Sequence, residues 1–266
     1  MILGCGFAGN ALARRALARG ERVIGTVRNS DRGVVPASGI EIRVAASLDA
    51  ETVRAIVPDG ARVLVAFPPD GVTDAAIAPE LARARRVVYL STTGVYGEAR
   101  GHVDEKTPID ARTPRAAMRI AAEDAYRAIG AVILRAAGIY GPGRGLHLRI
   151  ARGEFRLPGD GSNVVSRIHV DDLATIADTA LDRGVRGSAY VVADDAPVPQ
   201  IEAVRWLCEA LGVDVPESLP LEQVAETLRH DRRVDNTLVK RDLGIALMYP
   251  SFREGFGQCI AADRVR

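Results

Sequence analysis

A chain of 266 residues, 47% hydrophobic and 26% charged, has the composition of a globular protein with one large domain or two smaller ones. Its net charge of +1 and its short apolar runs give no sign of a nucleic-acid or membrane partner. Cys5, Cys208 and Cys259 have neither metal-binding nor disulfide spacing. We therefore expect no metal site and a reducing, cytoplasmic location.

The first nine residues predict a glycine-rich turn between a short strand and a helix. Gly4, Gly6 and Gly9 fit G-x-G-x-x-G, and a second strand is predicted over residues 22–27. In a dinucleotide site the first glycine permits the turn, the second admits a pyrophosphate, and the third lets helix and strand pack. An ordinary turn of an α/β protein is the alternative. The predicted cofactor contacts are Gly4, Cys5, Gly6, Phe7, Ala8 and Gly9.

Strand and helix patterns then alternate through the first half of the chain. Strands are predicted over residues 22–27, 40–44, 62–67, 86–90 and 131–134, and helices over 48–57, 75–84 and 115–129. The strands are too apolar for a half-exposed sheet, which favours α/β architecture of the Rossmann type, a doubly wound parallel sheet. Ligands bind beyond the carboxyl ends of such strands. Further cofactor contacts are therefore expected at Phe67, Pro68, Pro69, Ser91 and Ala136.

The second half is less regular and richer in turns. Helices are predicted over residues 169–181, 201–211 and 222–228, and a strand over 189–192. We expect residues 1–143 to form the dinucleotide-binding domain, with residues 166–193 returning to it. A small interleaved C-terminal lobe, residues 144–165 and 194–266, is expected to bind the substrate.

The residues after the second strand indicate which cofactor is preferred. An NAD site usually has an acid there to hold the ribose 2′-hydroxyl. This chain has Arg28, Asn29 and Ser30, with no acid before Asp31. Arg28 can pair with a 2′-phosphate, and Asn29 and Ser30 can donate hydrogen bonds to it. An exposed loop arginine is the alternative; the missing acid favours NADP(H) over NAD(H).

Three later motifs, in a fixed order, carry a family likeness. They read S-T-T-G-V-Y-G at residues 91–97, L-R-A-A-G-I-Y-G-P at 134–142 and I-H-V-D-D-L-A at 168–174. With the glycine turn, they make the chain resemble the extended short-chain dehydrogenase/reductases, the nucleotide-sugar epimerase and dehydratase group, over nearly its whole length. The resemblance implies a nicotinamide cofactor and a small-molecule substrate such as a nucleotide sugar, and it is compatible with a homodimer.

The family's catalytic dyad, Y-x-x-x-K, is missing from this chain. Pro114 and Glu123 stand where the flanks of the dyad belong, but Arg115 replaces the tyrosine and Arg119 the lysine. Arginine stays protonated and cannot act as the proton donor. Arg119 can keep the positive charge of the lysine and its ribose contacts; a solvated helix residue is the alternative.

Other departures place the chain with atypical members of the superfamily. Its glycine turn differs from the usual G-x-x-G-x-x-G, and Thr93-Gly94 replaces the Asp-Glu of 4,6-dehydratases, which excludes that chemistry. Thr92 aligns with the catalytic Ser/Thr of the family; a capping hydroxyl at a strand end is the alternative.

Four further side chains have ambiguous roles. We expect Tyr96 and Tyr140 to be packing residues, His169 to be structural, and His102 to lie in an exposed loop. Two hypotheses remain for the whole chain. One is an epimerase or oxidoreductase with a replaced proton donor. The other is a regulator or inactive homologue that senses NADP(H) without turnover, which the lost dyad favours.

Overall fold

The computed structural model describes residues 1–28, 36–225 and 228–264. Its strands are β1 Ile2–Leu3, β2 Ile24–Val27, β3 Glu41–Val44, β4 Arg62–Val65, β5 Arg86–Thr92, β6 Gly101–Val103, β7 Val132–Ala136, β8 Gly138–Tyr140, β9 Leu157–Pro158, β10 Val164–Val165, β11 Arg167–His169, β12 Ala189–Val192, β13 Val198–Pro199, β14 Ser218–Leu219 and β15 Arg232–Val234. Its α-helices are α1 Phe7–Ala18, α2 Ala50–Ile56, α3 Thr73–Ile77, α4 Pro114–Ala128, α5 Leu146–Ala151, α6 Val170–Arg183, α7 Gln200–Leu211, α8 Thr237–Leu243 and α9 Phe252–Arg264. Short 3-10 segments cover Pro79–Arg83, Thr93–Tyr96 and Leu221–Gln223.

The centre of the fold is a parallel sheet of seven strands in the order β3-β2-β1-β4-β5-β7-β12. The strand order reverses direction at β1, so the carboxyl ends of β1 and β4 flank a crevice. This confirms the predicted Rossmann-type sheet. Ligand-binding loops of such a sheet meet at that crevice.

Both faces of the sheet are buried against helices. Neighbouring residues of one strand accordingly belong to hydrophobic clusters on opposite faces. Leu64 packs with α1 and α6, whereas Val63 and Val65 pack with α2, α3 and α4. This is the period-two alternation of a strand with helices on each side. It explains why the strands read as continuous apolar runs.

A further hydrophobic cluster lies away from the sheet, between α5, α7 and α9. Phe155, Leu207 and Phe256 are almost completely buried in it. The division of the chain into a cofactor domain and a substrate lobe stays a prediction.

Two predicted helices differ from the structure. The helix expected over residues 75–84 is α3 followed by a 3-10 segment that begins at Pro79, because proline lacks the N–H that would continue the α-helix. In the described part of 222–228, the 3-10 turn Leu221–Gln223 replaces the start of the predicted helix, and Val224 is extended. The carbonyl oxygens of Glu222 and Val224 accept bonds from the Arg229 guanidinium at 3.1 and 2.8 Å, which holds this segment in a non-helical form. Among the described helices, none is long and apolar enough to cross a membrane.

Candidate cofactor site

The three glycines of the first turn occupy different steric environments. Gly4 has a φ of +89°, and a Cβ there would lie 2.8 Å from the backbone nitrogen of Phe67. A Cβ on Gly9 would lie 2.8 Å from the carbonyl oxygen of Gly4. A Cβ on Gly6 would meet nothing within 4 Å. Gly4 and Gly9 are therefore required by packing, whereas Gly6 leaves open space above the turn.

The turn presents backbone N–H groups where α1 begins. Gly6 is the N-cap of α1, no side chain caps the helix, and its first turn carries no acid. The loop is fixed from behind by Thr26, whose Oγ1 accepts a bond from Gly4 N at 2.9 Å and whose carbonyl accepts one from Cys5 N at 2.7 Å. An uncapped helix start with free N–H groups attracts anions such as phosphate. Thr26 was not predictable from local sequence patterns, because its bond to Gly4 N reaches back across 22 residues.

A cavity of about 620 Å³ opens beside this turn. Its volume lies in the range of small-molecule sites. It is lined by Gly4, Cys5, Gly6, Thr26, Val27, Arg28, Ala45, Ala46, Ser47, Leu48, Ala66, Phe67, Pro68, Pro69, Asp70 and Thr73. Seven of the predicted cofactor residues are in this lining, namely Gly4, Cys5, Gly6, Arg28, Phe67, Pro68 and Pro69. Asn29 and Ser30 lie outside the described residues.

Arg28 is exposed at this cavity, across from the loop that carries Asp70. The Asp70 carboxylate accepts bonds from Thr73 Oγ1 at 2.7 Å, Thr73 N at 2.8 Å and Val72 N at 3.0 Å. These bonds, chiefly those of Thr73 and with a small contribution from the charge of Arg28, lower the pKa of Asp70 to about 2. The loop is thus held in shape by its own hydrogen bonds. Among the described residues no side chain or carbonyl bonds the guanidinium of Arg28, which faces the cavity.

Ser91 and Ala136 lie further along the same edge of the sheet. The buried Ser91 hydroxyl donates to Glu123 Oε1 at 2.5 Å, so it faces the interior and not the crevice. The Ser91 hydroxyl is thus taken up by Glu123, and the contact of Ser91 with the cofactor stays a prediction. Ala136 is buried at the end of β7, in register with Thr92 at the end of β5.

Thr92 caps a 3-10 turn. Its Oγ1 accepts a bond from Gly94 N at 3.2 Å, as in the capping alternative. Within the described residues its hydroxyl donates to no partner. It is half-buried at a strand end, where a hydroxyl can still reach a substrate oxygen.

The two arginines in the dyad positions have different surroundings. Arg119 Nη1 donates to the Tyr89 hydroxyl at 2.8 Å and to the Leu90 carbonyl at 3.2 Å, so α4 holds it against β5. Arg115, one turn earlier, is exposed, and its side chain makes no hydrogen bond or ion pair with any described residue. Arg119 is a fixed cation and Arg115 a free one.

The phenols of the two family motifs are packed away from solvent. Tyr96 is 1% exposed and its hydroxyl accepts a bond from Arg135 Nη1 at 3.0 Å. Tyr140 is 3% exposed and lies 4.3 Å from Phe256, ring to ring. Burial raises the pKa of both phenols. Neither side chain reaches the crevice as a proton donor.

The two candidate histidines also have structural surroundings. His169 caps α6, accepting a bond from Asp171 N at 3.3 Å, and burial lowers its pKa. His102 is exposed on β6, 3.6 Å from an Asp235 carboxylate oxygen. The residues that the structure describes contain no group of three His, Cys, Asp or Glu side chains that could hold a metal.

A hairpin of residues 141–144, closed by a bridge between Gly141 and Arg144, adjoins the glycine turn. The guanidinium carbon of Arg144 lies 5.3 Å from the ring centroid of Phe7. This contact was not predictable from the sequence, since the two residues lie 137 positions apart and no local pattern pairs them.

Comparison with known proteins gives two matching family models. The NAD dependent epimerase/dehydratase family matches residues 70–193, and the family described as NADP oxidoreductase coenzyme F420-dependent matches residues 1–93. Over 95% of its length the chain is 27% identical to the 3-diazoavenalumate denitrifying reductase of a Streptomyces species, of which 97% is covered.

Solved structures extend the likeness to the whole chain. A conserved protein of unknown function from Silicibacter pomeroyi is 31% identical, with a TM-score of 0.85 and coverage of 98% of this chain and 97% of that one. The UDP-glucose 4-epimerase of Thermotoga maritima, solved with UDP-glucose, is 19% identical. With a TM-score of 0.84 over 99% of this chain and 98% of that one, it has the same fold.

Proposed function

The chain belongs to the NAD-dependent epimerase/dehydratase family, and we propose that it is an NADP(H)-dependent oxidoreductase that acts without the usual tyrosine. The glycine turn would hold the pyrophosphate of the cofactor, and the 620 Å³ cavity its adenosine half. Bound NADPH would supply a hydride. Thr92 would hydrogen-bond the substrate, and Arg119 would contact the nicotinamide ribose.

The preference for NADP(H) rests on Arg28. It lines the cavity after β2, in the position where an NAD site usually carries an acid. A guanidinium pairs with a phosphate through two parallel hydrogen bonds, and a bond to a charged group contributes about 2 kcal/mol. Calorimetric titration should therefore show NADPH binding more tightly than NADH by about that amount. Equal affinities, or an Arg28→Gln variant that keeps the preference, would contradict it.

The proposal on chemistry rests on the tyrosines: all six lie in the described part of the chain, and none of them is an exposed phenol that could replace the lost one. Tyr89, Tyr96, Tyr126, Tyr140 and Tyr190 are each 3% exposed or less, and Tyr249 packs on His169 at 4.1 Å. Arg115 stays protonated and does not release a proton at working pH. Reducing a ketone places charge on oxygen that a donor must neutralise, whereas adding hydride to a cationic centre needs no proton. We therefore favour an electron-poor, cationic acceptor, and the full-length Streptomyces relative is itself a reductase.

The test is NADPH consumption against two acceptor panels. One panel holds UDP-, GDP- and dTDP-linked keto-sugars, because the fold is shared with an epimerase solved with UDP-glucose. The other holds aryl diazonium and iminium salts, with heat-denatured protein as the control for spontaneous reduction. We expect consumption with the second panel only. Rapid turnover of keto-sugars would overturn the replaced-donor proposal.

A second candidate is a protein that senses NADP(H) without turnover. The partner-free Arg115 favours it, because an exposed arginine at the reacting position suits binding of an anion better than proton transfer. Tight NADPH binding without consumption of either panel would support this candidate. A homodimer and a cytoplasmic location stay predictions.

A further inference from the structure

The hairpin beside the glycine turn has a defined backbone. Gly141 N donates to the Arg144 carbonyl at 2.9 Å, and Arg144 N donates to the Gly141 carbonyl at 3.0 Å. A Cβ on Gly141 would lie 3.2 Å from Phe7 Cζ, so the hairpin packs directly on the first residue of α1. The side chain of Arg144 continues this contact by stacking on the Phe7 ring.

The hairpin is also fastened from the far side by α9. The Asp263 carboxylate accepts bonds from Gly143 N at 3.0 and 3.1 Å and lies 2.8 Å from His147 Nε2. His147 is 2% exposed. The position of Arg144 is therefore set by three segments of the fold, and the residue is not the tip of a free loop.

The guanidinium of Arg144 has no acidic or carbonyl partner among the described residues. Arg144 is exposed, and its side chain makes no hydrogen bond or ion pair with the part of the chain that the structure describes. The helix start beside it carries no acid and no side-chain cap. The guanidinium lies over the Phe7 ring, which leaves the edge of the guanidinium, with its N–H groups, for an acceptor. A cation so placed adds to the positive end of the α1 dipole.

We propose that Arg144 binds the pyrophosphate of the dinucleotide, together with the N–H groups at the start of α1. This rests on the proposed function, because it needs a dinucleotide in the crevice. Arg144 and Arg28 would then bind different phosphate groups of the cofactor. Arg144 would recognise the pyrophosphate that NADPH and NADH share, and Arg28 the 2′-phosphate that only NADPH has. The hairpin leads into α5, so cofactor binding would also order the entrance to the segment predicted to bind substrate.

The test compares Arg144→Gln with a matched control, Arg149→Gln. Arg149 is exposed and stacks on Phe155, also at 5.3 Å, in the region of the α5, α7 and α9 cluster. The ligands are NADPH, NADH and 2′-AMP, which has the 2′-phosphate but no pyrophosphate. We expect Arg144→Gln to weaken NADPH and NADH about tenfold each and 2′-AMP by less than twofold. Arg149→Gln should change none of them.

Further arms separate the possible outcomes. Arg28→Gln should weaken NADPH and 2′-AMP but not NADH, the reverse of the Arg144 pattern. Arg144→Lys keeps the charge without the fork and should recover part of the loss, and melting curves of all variants check the fold. If Arg144→Gln binds both dinucleotides as Arg149→Gln does, the role of Arg144 is overturned while the proposed function stands. If the unchanged protein binds neither dinucleotide, the proposed function fails and this inference with it.

Discussion

Arg135 donates to both carboxylate oxygens of Glu123 in the protein interior, with Nη2 2.7 Å from Oε2 and Nε 3.1 Å from each oxygen. Glu123 is fully buried and Arg135 4% exposed. Ser91 and Tyr96 complete the cluster through their hydroxyls. The glutamate that flanks the missing dyad and the motifs at residues 91–97 and 134–142 are thus joined in one buried polar network. The flanking glutamate has a structural role that does not depend on the dyad.

Glu123→Gln should destabilise the protein by about 3 kcal/mol, because it leaves the Arg135 charge buried without a counter-charge. Urea unfolding measures the effect. Arg127→Gln is the control: Arg127 also approaches Glu123, at 3.5 Å, but its side chain is 37% exposed. Exposed pairs contribute under about 1 kcal/mol. Equal losses of unfolding free energy in the two variants would show that the buried Glu123–Arg135 pair contributes no more to stability than the exposed pair.

Sequence patterns predicted the sheet and the glycine turn because both depend on local spacing. Alternation along β4 and the intervals between Gly4, Gly6 and Gly9 are properties of a few consecutive residues. They could not predict that the Ser91 hydroxyl turns to Glu123, since that contact depends on how α4 packs on β5. Arg144 on Phe7 is another such contact, made only after the chain has crossed the sheet. The seven predicted lining residues follow strand ends, whereas the missed ones come from long-range packing.

Gly6→Ala should leave stability nearly unchanged and lower NADPH affinity at least tenfold. Its Cβ meets no protein atom within 4 Å, so it would occupy only the space that the pyrophosphate needs. Gly9→Ala is the contrast, because its Cβ would lie 2.8 Å from the Gly4 carbonyl oxygen and must displace backbone. We expect Gly9→Ala to lower the melting temperature as well as binding. Titration and thermal unfolding of both variants decide it, and a Gly6→Ala protein with full affinity would argue against a phosphate at this turn.

The free energy of unfolding should decrease as the pH rises from about 4 to about 7, because of Asp194. The carboxyl is 1% exposed, its Oδ2 has no partner among the described residues, and burial raises its pKa from 3.8 to about 7 despite the positive charge of Arg167. Across that range the unfolded chain releases the proton while the folded chain retains it. The unfolded state thus binds fewer protons, and the free energy of unfolding decreases as pH rises.

Asp194→Asn removes this titration and can still accept the bond from Ala196 N. It should be close to neutral near pH 4.5 and stabilising at pH 8, measured by urea unfolding at both values. Asp195→Asn is the neighbouring control. Its carboxylate bonds the Lys240 ammonium at 2.8 Å, so it should gain nothing at pH 8. A gain from Asp194→Asn that is equal at both pH values would rule out titration as the cause.

Restoring the dyad should raise activity on keto-sugars if the proton donor is all that is missing. Arg115→Tyr places a phenol on α4 at the position whose side chain has no partner among the described residues. Arg119→Lys places an ammonium near Tyr89 and the Leu90 carbonyl. This ammonium can lower the pKa of the introduced phenol. General acid catalysis contributes about 10²–10⁴-fold, so we expect a gain of at least tenfold in the double variant and little in either single one.

The gain should also depend on Thr92, which would hold the substrate oxygen beside the new phenol. Adding Thr92→Ala to the double variant should remove the gain while leaving NADPH affinity unchanged. Loss of activity with unchanged NADPH affinity would distinguish a role of Thr92 in the reaction from a role in folding. Turnover of the unchanged protein near 10 s⁻¹, about the median for enzymes, would mean that another group already donates the proton. No gain in the double variant would mean that the substrate-binding side has diverged too, which favours an NADP(H) sensor.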